Sequence, residues 1–283
     1  MMEGYFNYSS SPRSFDLKIC KLMWSANRVE FLEKTLQSHH RLDFGDHEVH
    51  GIFIDDMPLD RDDEYIRHLA NSHGFDEVIL HEENQGITKV FTESHKLIAS
   101  GDYDYVWHQE DDFTFNFDVK IDDLIELYQT DDLMLHIGLS RQAWYDADFN
   151  TPNYFNLKGN NIDRCMYTID ESDTYYKNYL YEKAQAYFTT MAGFYPAWIC
   201  KEPIEEMQNI HRAEGVILRH YIKYHNPDYY SARLKHPSGV PLTHHIGEWF
   251  HGQRVAPGEP GWEDFDYYET GKKYCSIHGH IVE

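Results

Sequence analysis

Three consecutive acids, Glu110-Asp111-Asp112, close an otherwise apolar stretch, YDYVWHQEDDF over 103–113. Carboxylates packed this closely repel one another, and taking them out of water without a cation is costly. Hard divalent ions such as Mg2+ or Mn2+ take oxygen ligands and relieve that repulsion. In an extended segment alternate side chains lie on one side, so Glu110 and Asp112 can share one ion. A cation held there can bridge two phosphate oxygens and stabilise a departing diphosphate. The alternative is a solvated acidic turn, because a chain with 48 Asp and Glu contains acid runs by chance.

Other residues could serve the same chemistry. Asp55-Asp56 ends the run IFIDD, although an Asp after a strand is also a common turn or cap residue. Asn84-Gln85-Gly86 reads as a turn ahead of a helix. Arg141 follows a predicted strand; it can pair with a diphosphate or be a surface arginine. Tyr195 and Trp198, in AGFYPAWI, can shape an acceptor pocket by stacking or can belong to the core. Glu214, in HRAEGVILRHYI, stands beside a predicted helix N-terminus, which suits an anionic carboxylate but also an ordinary helix-start Glu. The late segment THHIGEWFHG carries His244, His245 and His251, and among 19 histidines an exposed loop residue is the default.

Regular elements must position these side chains. The run 18–24 predicts a strand, and Asn27 with Glu30 three residues on predicts a capped helix to about residue 39, carrying Phe31, Leu32 and Leu36. Strands are expected at 49–54, 77–80, 103–107 and 133–139, and helices at 62–73, from 87 to the Gly101 stop, and at 118–129. This alternation predicts an α/β fold, a mostly parallel sheet with helices on both faces. In such sheets ligands bind at the carboxyl ends of strands, where both acid groups fall. The second half is less regular. Helices are expected at 181–189, 203–211 and 214–225, a proline-broken strand at 192–200, and a loop-rich tail from 236.

In their order along the chain, WSANRVEFLEKTLQS, IFIDD, ENQGITKVFTES and YVWHQEDDF resemble the GT-A class of nucleotide-sugar glycosyltransferases, especially its large family-2-like group. The resemblance covers 17–140 well and the remainder loosely. It implies a GT-A-like fold, with a lead-in over 1–16, a nucleotide-sugar-binding α/β half over 17–140 and an acceptor-side half of the same domain over 141–283. It implies that Asp55 or Asp56 contacts the nucleoside, that Asn84 and Gly86 lie near the donor, and that Asp111 and Arg141 join the donor site. Asp112 becomes the main metal ligand. Glu110 stands for the first acid of the D-x-D motif, a departure because that acid is usually Asp. His245 fits a third metal ligand best, with His244 and His251 as alternatives. Glu214 becomes the base of an inverting enzyme, ahead of Glu205 and Glu206. The implied cofactor is Mn2+ or Mg2+, and the implied donor a nucleotide sugar, first a UDP-sugar.

Composition narrows the rest. A formal net charge of -23 repels nucleic acid and anionic lipid at long range and disfavours a polyanionic acceptor. No apolar run approaches the roughly 20 residues that a membrane span needs. Four scattered cysteines without a CxxC pair suggest free thiols, and a cytoplasmic protein is expected. Walker A, GxGxxG, HExxH and GxSxG motifs are lacking. Two rivals remain. A nucleotidyltransferase would carry a Gly-rich basic loop, and 18–30 holds no glycine. The other rival is a sugar-nucleotide-binding protein without transferase activity.

Overall fold

β1 (Lys18–Ser25, KICKLMWS) is buried along almost its whole length. Cys20, Leu22 and Trp24 face a core that includes Val90, Phe91 and Ile98, whereas Met23 faces one built by Leu32, Leu36, Ile66 and Ala70. A strand apolar on both faces belongs inside a sheet covered on both sides. The computed structural model describes residues 17–140, 168–177, 179–185, 192–202, 214–238 and 240–246, with short strands at 249–250, 253–254, 273–275 and 280–282.

After β1 come α1 (Val29–Ser38), β2 (Leu42–Asp43), β3 (Glu48–Asp55), α2 (Asp63–Ser72), β4 (Glu77–Leu80) and α3 (Ile87–Ser100). Then follow β5 (Tyr105–Glu110), β6 (Phe113–Phe115), β7 (Val119–Lys120), α4 (Ile121–Thr130) and β8 (Met134–Leu139). The second half supplies β9 (Thr168–Tyr176), β10 (Tyr179–Gln185), β11 (Gly193–Pro196), α5 (Glu214–Tyr224), β12 (Tyr230–Lys235) and β13 (Thr243–His245).

Nine strands form one sheet in the order β4-β3-β1-β5-β11-β8-β12-β10-β9. β4, β3, β1 and β5 run parallel, and so do β8 and β12. Only β11 and β10 run against their neighbours, so the sheet is mostly parallel in direction. Leu32 and Leu36 of α1, Ile66 and Ala70 of α2, and Ile121, Leu124 and Ile125 of α4 cover one face. Val90, Phe91 and Ile98 of α3 and Ile217 and Tyr221 of α5 cover the other. The chain steps outward from β1 to β3 and β4, then returns to place β5 on the other side of β1. That reversal makes a crevice at the carboxyl ends of β1 and β5.

Several sequence expectations change. Residues 181–189 were expected to be helical, yet Tyr179–Gln185 is a strand, held antiparallel between β12 and β9. Long-range pairing overrides the local pattern there. The expected strand at 192–200 is shorter, because after Pro196 the chain turns into a 3-10 segment, Ala197–Lys201. The tail is not all loop, since Thr243–His245 pairs with Phe113–Phe115. Asn27 does not cap α1. It has a positive φ of 51, and Arg28 takes the cap position without a side-chain cap bond. The expected helix at 203–211 lies outside the described residues.

Candidate active site

Register brings the acids level. Ser25 at the end of β1 pairs with Asp55 of β3, and Trp24 pairs with Glu110 of β5. Beyond Glu110 the chain turns and continues as β6. β13 lies against β6, with His245 opposite Phe113 and the two rings stacked 4.4 Å apart. The Ile246 amide donates to the Asp112 carbonyl at 2.8 Å. A residue 133 positions downstream therefore stands with its Nε2 3.2 Å from Asp112 Oδ2.

Arg28 occupies the middle of this cluster. Its guanidinium donates to both oxygens of Asp111, at 3.2 Å from Nε to Oδ2 and through Nη2 to Oδ1, and through Nη1 to Asp112 Oδ2. Asp111 also accepts from the Ser25 hydroxyl at 2.8 Å and the Ala26 amide at 3.2 Å. The Thr35 hydroxyl of α1 donates to the Asp111 carbonyl at 2.9 Å, tying the helix to the same turn. Both aspartates are buried. Asp112 Oδ1 is also buried, and it has no hydrogen-bond partner among the described residues.

Charge explains the ionisation. Burial pushes the Asp111 carboxyl up, with Arg28 opposing and Asp112 adding repulsion. Burial acts on Asp112 in the same sense, but His245 and Arg28 outweigh it and hold that carboxyl below the usual range. Burial works against the Arg28 charge, yet Asp111, Asp112 and Glu110 hold the guanidinium protonated. The compensation expected from an ion is thus supplied in large part by Arg28. Sequence reading placed this residue in the first helix without assigning it a partner.

Asp55 and Asp56 form a second, adjoining polar centre. Asp55 accepts from the Asn27 amide at 2.7 Å, the Met57 amide at 3.1 Å and Arg61 at 3.0 Å. Asp56 accepts from His81 at 2.7 Å and from the amides of Gln85 at 2.8 Å and Gly86 at 2.7 Å. His81 in turn meets Glu93 of α3 at 2.8 Å. Both carboxylates are therefore engaged internally, one fixing the 26–28 turn that presents Arg28 and the other the 84–86 turn. Gly86 caps α3 with φ 79, a left-handed value that favours glycine. Asn84 is exposed, its amide 3.8 Å from Met57 Sδ.

The expected acceptor aromatics do not reach this cluster. Tyr195 is completely buried in the core beside Val106 and Leu135, a correction with a simple cause: β11 lies inside the sheet. Trp198 is about a third exposed (37%), but it follows Pro196, which pairs with Tyr105 at the amino end of β5. The Ala197 amide donates to the Asp104 carbonyl at 2.9 Å. Asp104 and Glu110 lie at opposite ends of β5, roughly 20 Å apart at 3.3 Å per extended residue. Glu214 opens α5. His244 alternates with His245 along β13 and pairs with Thr114. Arg141, Glu205, Glu206 and His251 lie outside the described residues.

Sequence reading missed Ser25, Arg61, His81 and Glu93. Ser25 carried a signal, as the polar residue that ends an apolar strand. The others depend on contacts between separate elements.

No family model matches the sequence, and no curated protein does. Among solved structures, the fold is similar to S. aureus TarS 1-349 at 12% identity and TM-score 0.49, covering 82% of this chain and 61% of that one. It is similar to the mannosyltransferase PcManGT from Pyrobaculum calidifontis, solved with GDP-Man and Mn2+, at 10% identity and TM-score 0.49, covering 83% and 58%. TarS 1-349 solved with UDP gives 13% identity and TM-score 0.49, covering 81% and 60%. This chain spans about three fifths of the length of each of these structures.

No helix among the described residues is long and apolar enough to cross a membrane.

Proposed function

We propose that this chain is a metal-dependent glycosyltransferase of the GT-A type, moving a sugar from a nucleotide-diphosphate donor, first a UDP-sugar, to an acceptor hydroxyl. One observation carries the reading. At the carboxyl end of β5, Asp112 is buried with Oδ2 engaged by Arg28 and His245 and with Oδ1 lacking a donor among the described residues. A buried carboxylate oxygen without a partner is costly, and native proteins supply one. The donor set of a carboxylate and an imidazole, beside Glu110, fits a divalent ion.

Asp112 and His245 would hold Mn2+ or Mg2+, with Glu110 at its side, and the bound ion offsets the charge of a diphosphate leaving group. Arg28 keeps Asp112 ionised and fixes its direction. Asp111, through its fork to Arg28 and its bonds to Ser25 and Ala26, is in our reading a positioning residue within the donor site. Asp55 and Asp56 hold the two turns that frame the crevice, so the nucleoside meets Asn84, Gly86 and the adjoining backbone. Arg141 is assigned to the diphosphate. Glu214 accepts the acceptor's hydroxyl proton in an inverting displacement. The acceptor oxygen bonds to the anomeric carbon as the bond to the diphosphate breaks, and the nucleotide leaves with the electron pair. In this reading the setting is cytoplasmic, in keeping with four scattered cysteines that form no CxxC pair.

Thermal unfolding against a panel of UDP- and GDP-sugars, with and without Mn2+, tests this proposal. Ligand that binds only the folded state raises the midpoint by mass action. A rise that requires both nucleotide sugar and Mn2+ is expected. No rise with any member of the panel contradicts the reading.

A further inference from the structure

A second group of ligand-type side chains lies away from the acids. Glu202 follows the 3-10 segment after β11, His220 lies in the last turns of α5, and His225 is the residue just past its end. Glu202 Oε2 is 2.7 Å from His225 Nε2 and 3.6 Å from His220 Nε2. One ligand atom from each residue lies within 4.8 Å of the other two.

The geometry points to a binding site for a zinc-class divalent ion, held by Glu202, His220 and His225 on the side of the amino end of β5, away from the acidic crevice. Two imidazoles and one carboxylate suit zinc and its neighbours, whereas Mg2+ and Ca2+ take oxygen donors. Around a tetrahedral ion with bonds of about 2.0–2.1 Å, ligand atoms stand about 3.3 Å apart, close to the 2.7 and 3.6 Å that separate Glu202 from the two imidazoles. The side chains of Glu202 and His225 are 50% and 39% exposed, which leaves them room to adjust around an ion.

The backbone beneath the site is already ordered. Tyr221 is buried and its hydroxyl donates to the Ile199 carbonyl at 3.1 Å, joining α5 to the 3-10 segment. The amides of His225 and Asn226 both donate to the Tyr221 carbonyl at 3.0 Å. The His225 ring packs 5.0 Å from Tyr221, and Trp198 meets Tyr221 edge-on at 5.2 Å. The site also sits at a helix C-terminus, where the macrodipole favours a cation. Three protein ligands leave a further position for solvent or another donor. Because the segment begins where Pro196 pairs with Tyr105, the site is separate from Asp112 and His245 and goes beyond the proposed transferase chemistry.

Isothermal titration of the tag-free full chain with Zn2+ alone at pH 7.5 tests the site, alongside Co2+ titration followed by visible absorption as a coordination signature. The wild type is expected to bind one equivalent at this site. Affinity should fall at least tenfold in Glu202→Gln, His220→Ala and His225→Ala, and the Co2+ bands should change with it, whereas Asp112→Asn keeps this equivalent. Far-UV circular dichroism checks folding, and Glu202→Gln preserves shape should a histidine variant unfold. Zinc binding unchanged by Glu202→Gln, or absent from the wild type, overturns the assignment.

Discussion

Arg28 grips Asp111, 83 residues further along, with a two-pronged guanidinium contact, and reaches Asp112 with its remaining arm. The turn after β1 and the turn after β5 are thereby locked at the crevice between their carboxyl ends. Removing Arg28 leaves adjacent buried carboxylates without their cation. Arg28→Ala should lose about 3–5 kcal/mol of stability. Arg28→Lys should recover only part, because an ammonium lacks the planar fork. Urea unfolding at neutral pH measures both. A loss under about 1 kcal/mol for Arg28→Ala would show that the contact is incidental.

Asp56 holds the 84–86 turn through two backbone amides and His81. Asp56→Ala leaves those donors unmatched, which costs roughly 1–3 kcal/mol. In the proposed reaction it should also raise the donor KM at least tenfold, with a smaller change in kcat, because it loosens positioning rather than the chemistry. Steady-state kinetics separates the two. A fall in kcat at unchanged KM would place Asp56 among the reacting groups instead.

Close packing between β3 and the end of α2 gives a steric prediction. A Cβ on Gly51 would meet the Gly74 carbonyl oxygen at 2.3 Å and the Phe75 Cα at 2.6 Å. Both obstacles are backbone, so relief requires the loop to move. Gly51→Ala should destabilise by about 1–3 kcal/mol, read from denaturant midpoints. An unchanged midpoint would mean that the loop yields freely.

Burial sets the acid response of the core. His95 is buried, and desolvation lowers its pKa to about 4 despite a hydrogen bond with the Phe91 carbonyl. His39 and His108 are lowered as well, in both cases mainly by burial. The unfolded chain binds these protons below about pH 6.5 and the folded chain does not. Their contribution is complete above about pH 6.5 and declines as pH falls below it; for His95 the decline runs to about pH 4. For His95 the loss amounts to roughly 3 kcal/mol at about 1.4 kcal/mol per unit. Unfolding of wild type and His95→Gln across pH 7 to 4.5 should show a flatter dependence in the variant. Equal slopes would contradict the buried neutral imidazole.

The sequence made the first half of the fold legible because β1, β3 and β5 are largely buried and read as apolar runs. Glu77–Leu80 and the Gly101 helix stop stand where the pattern put them. β10 was misread because YLYEKAQ has no strict alternation, and its strand character comes from partners at both edges. Asn27 looked like a cap because Glu30 stands three residues on. Its amide instead serves Asp55, a contact between two strand ends that local spacing cannot reveal. The meeting of His245 with Asp112 is implied only by the family resemblance, and it is realised by the pairing of β13 with β6. Tyr195 lies in the core and Trp198 near the amino end of β5, placements that an aromatic's identity does not reveal.

The central claim is that the Asp112 carboxylate holds the ion that makes donor cleavage possible. Release of nucleotide diphosphate from the best-stabilising nucleotide sugar, measured with saturating Mn2+ for wild type and Asp112→Asn, tests it most directly. The account predicts metal-dependent release by the wild type and a drop of at least about a hundredfold in the variant, the scale of losing an electrostatic stabiliser of the transition state. Release by a folded Asp112→Asn protein at the wild-type rate would contradict it.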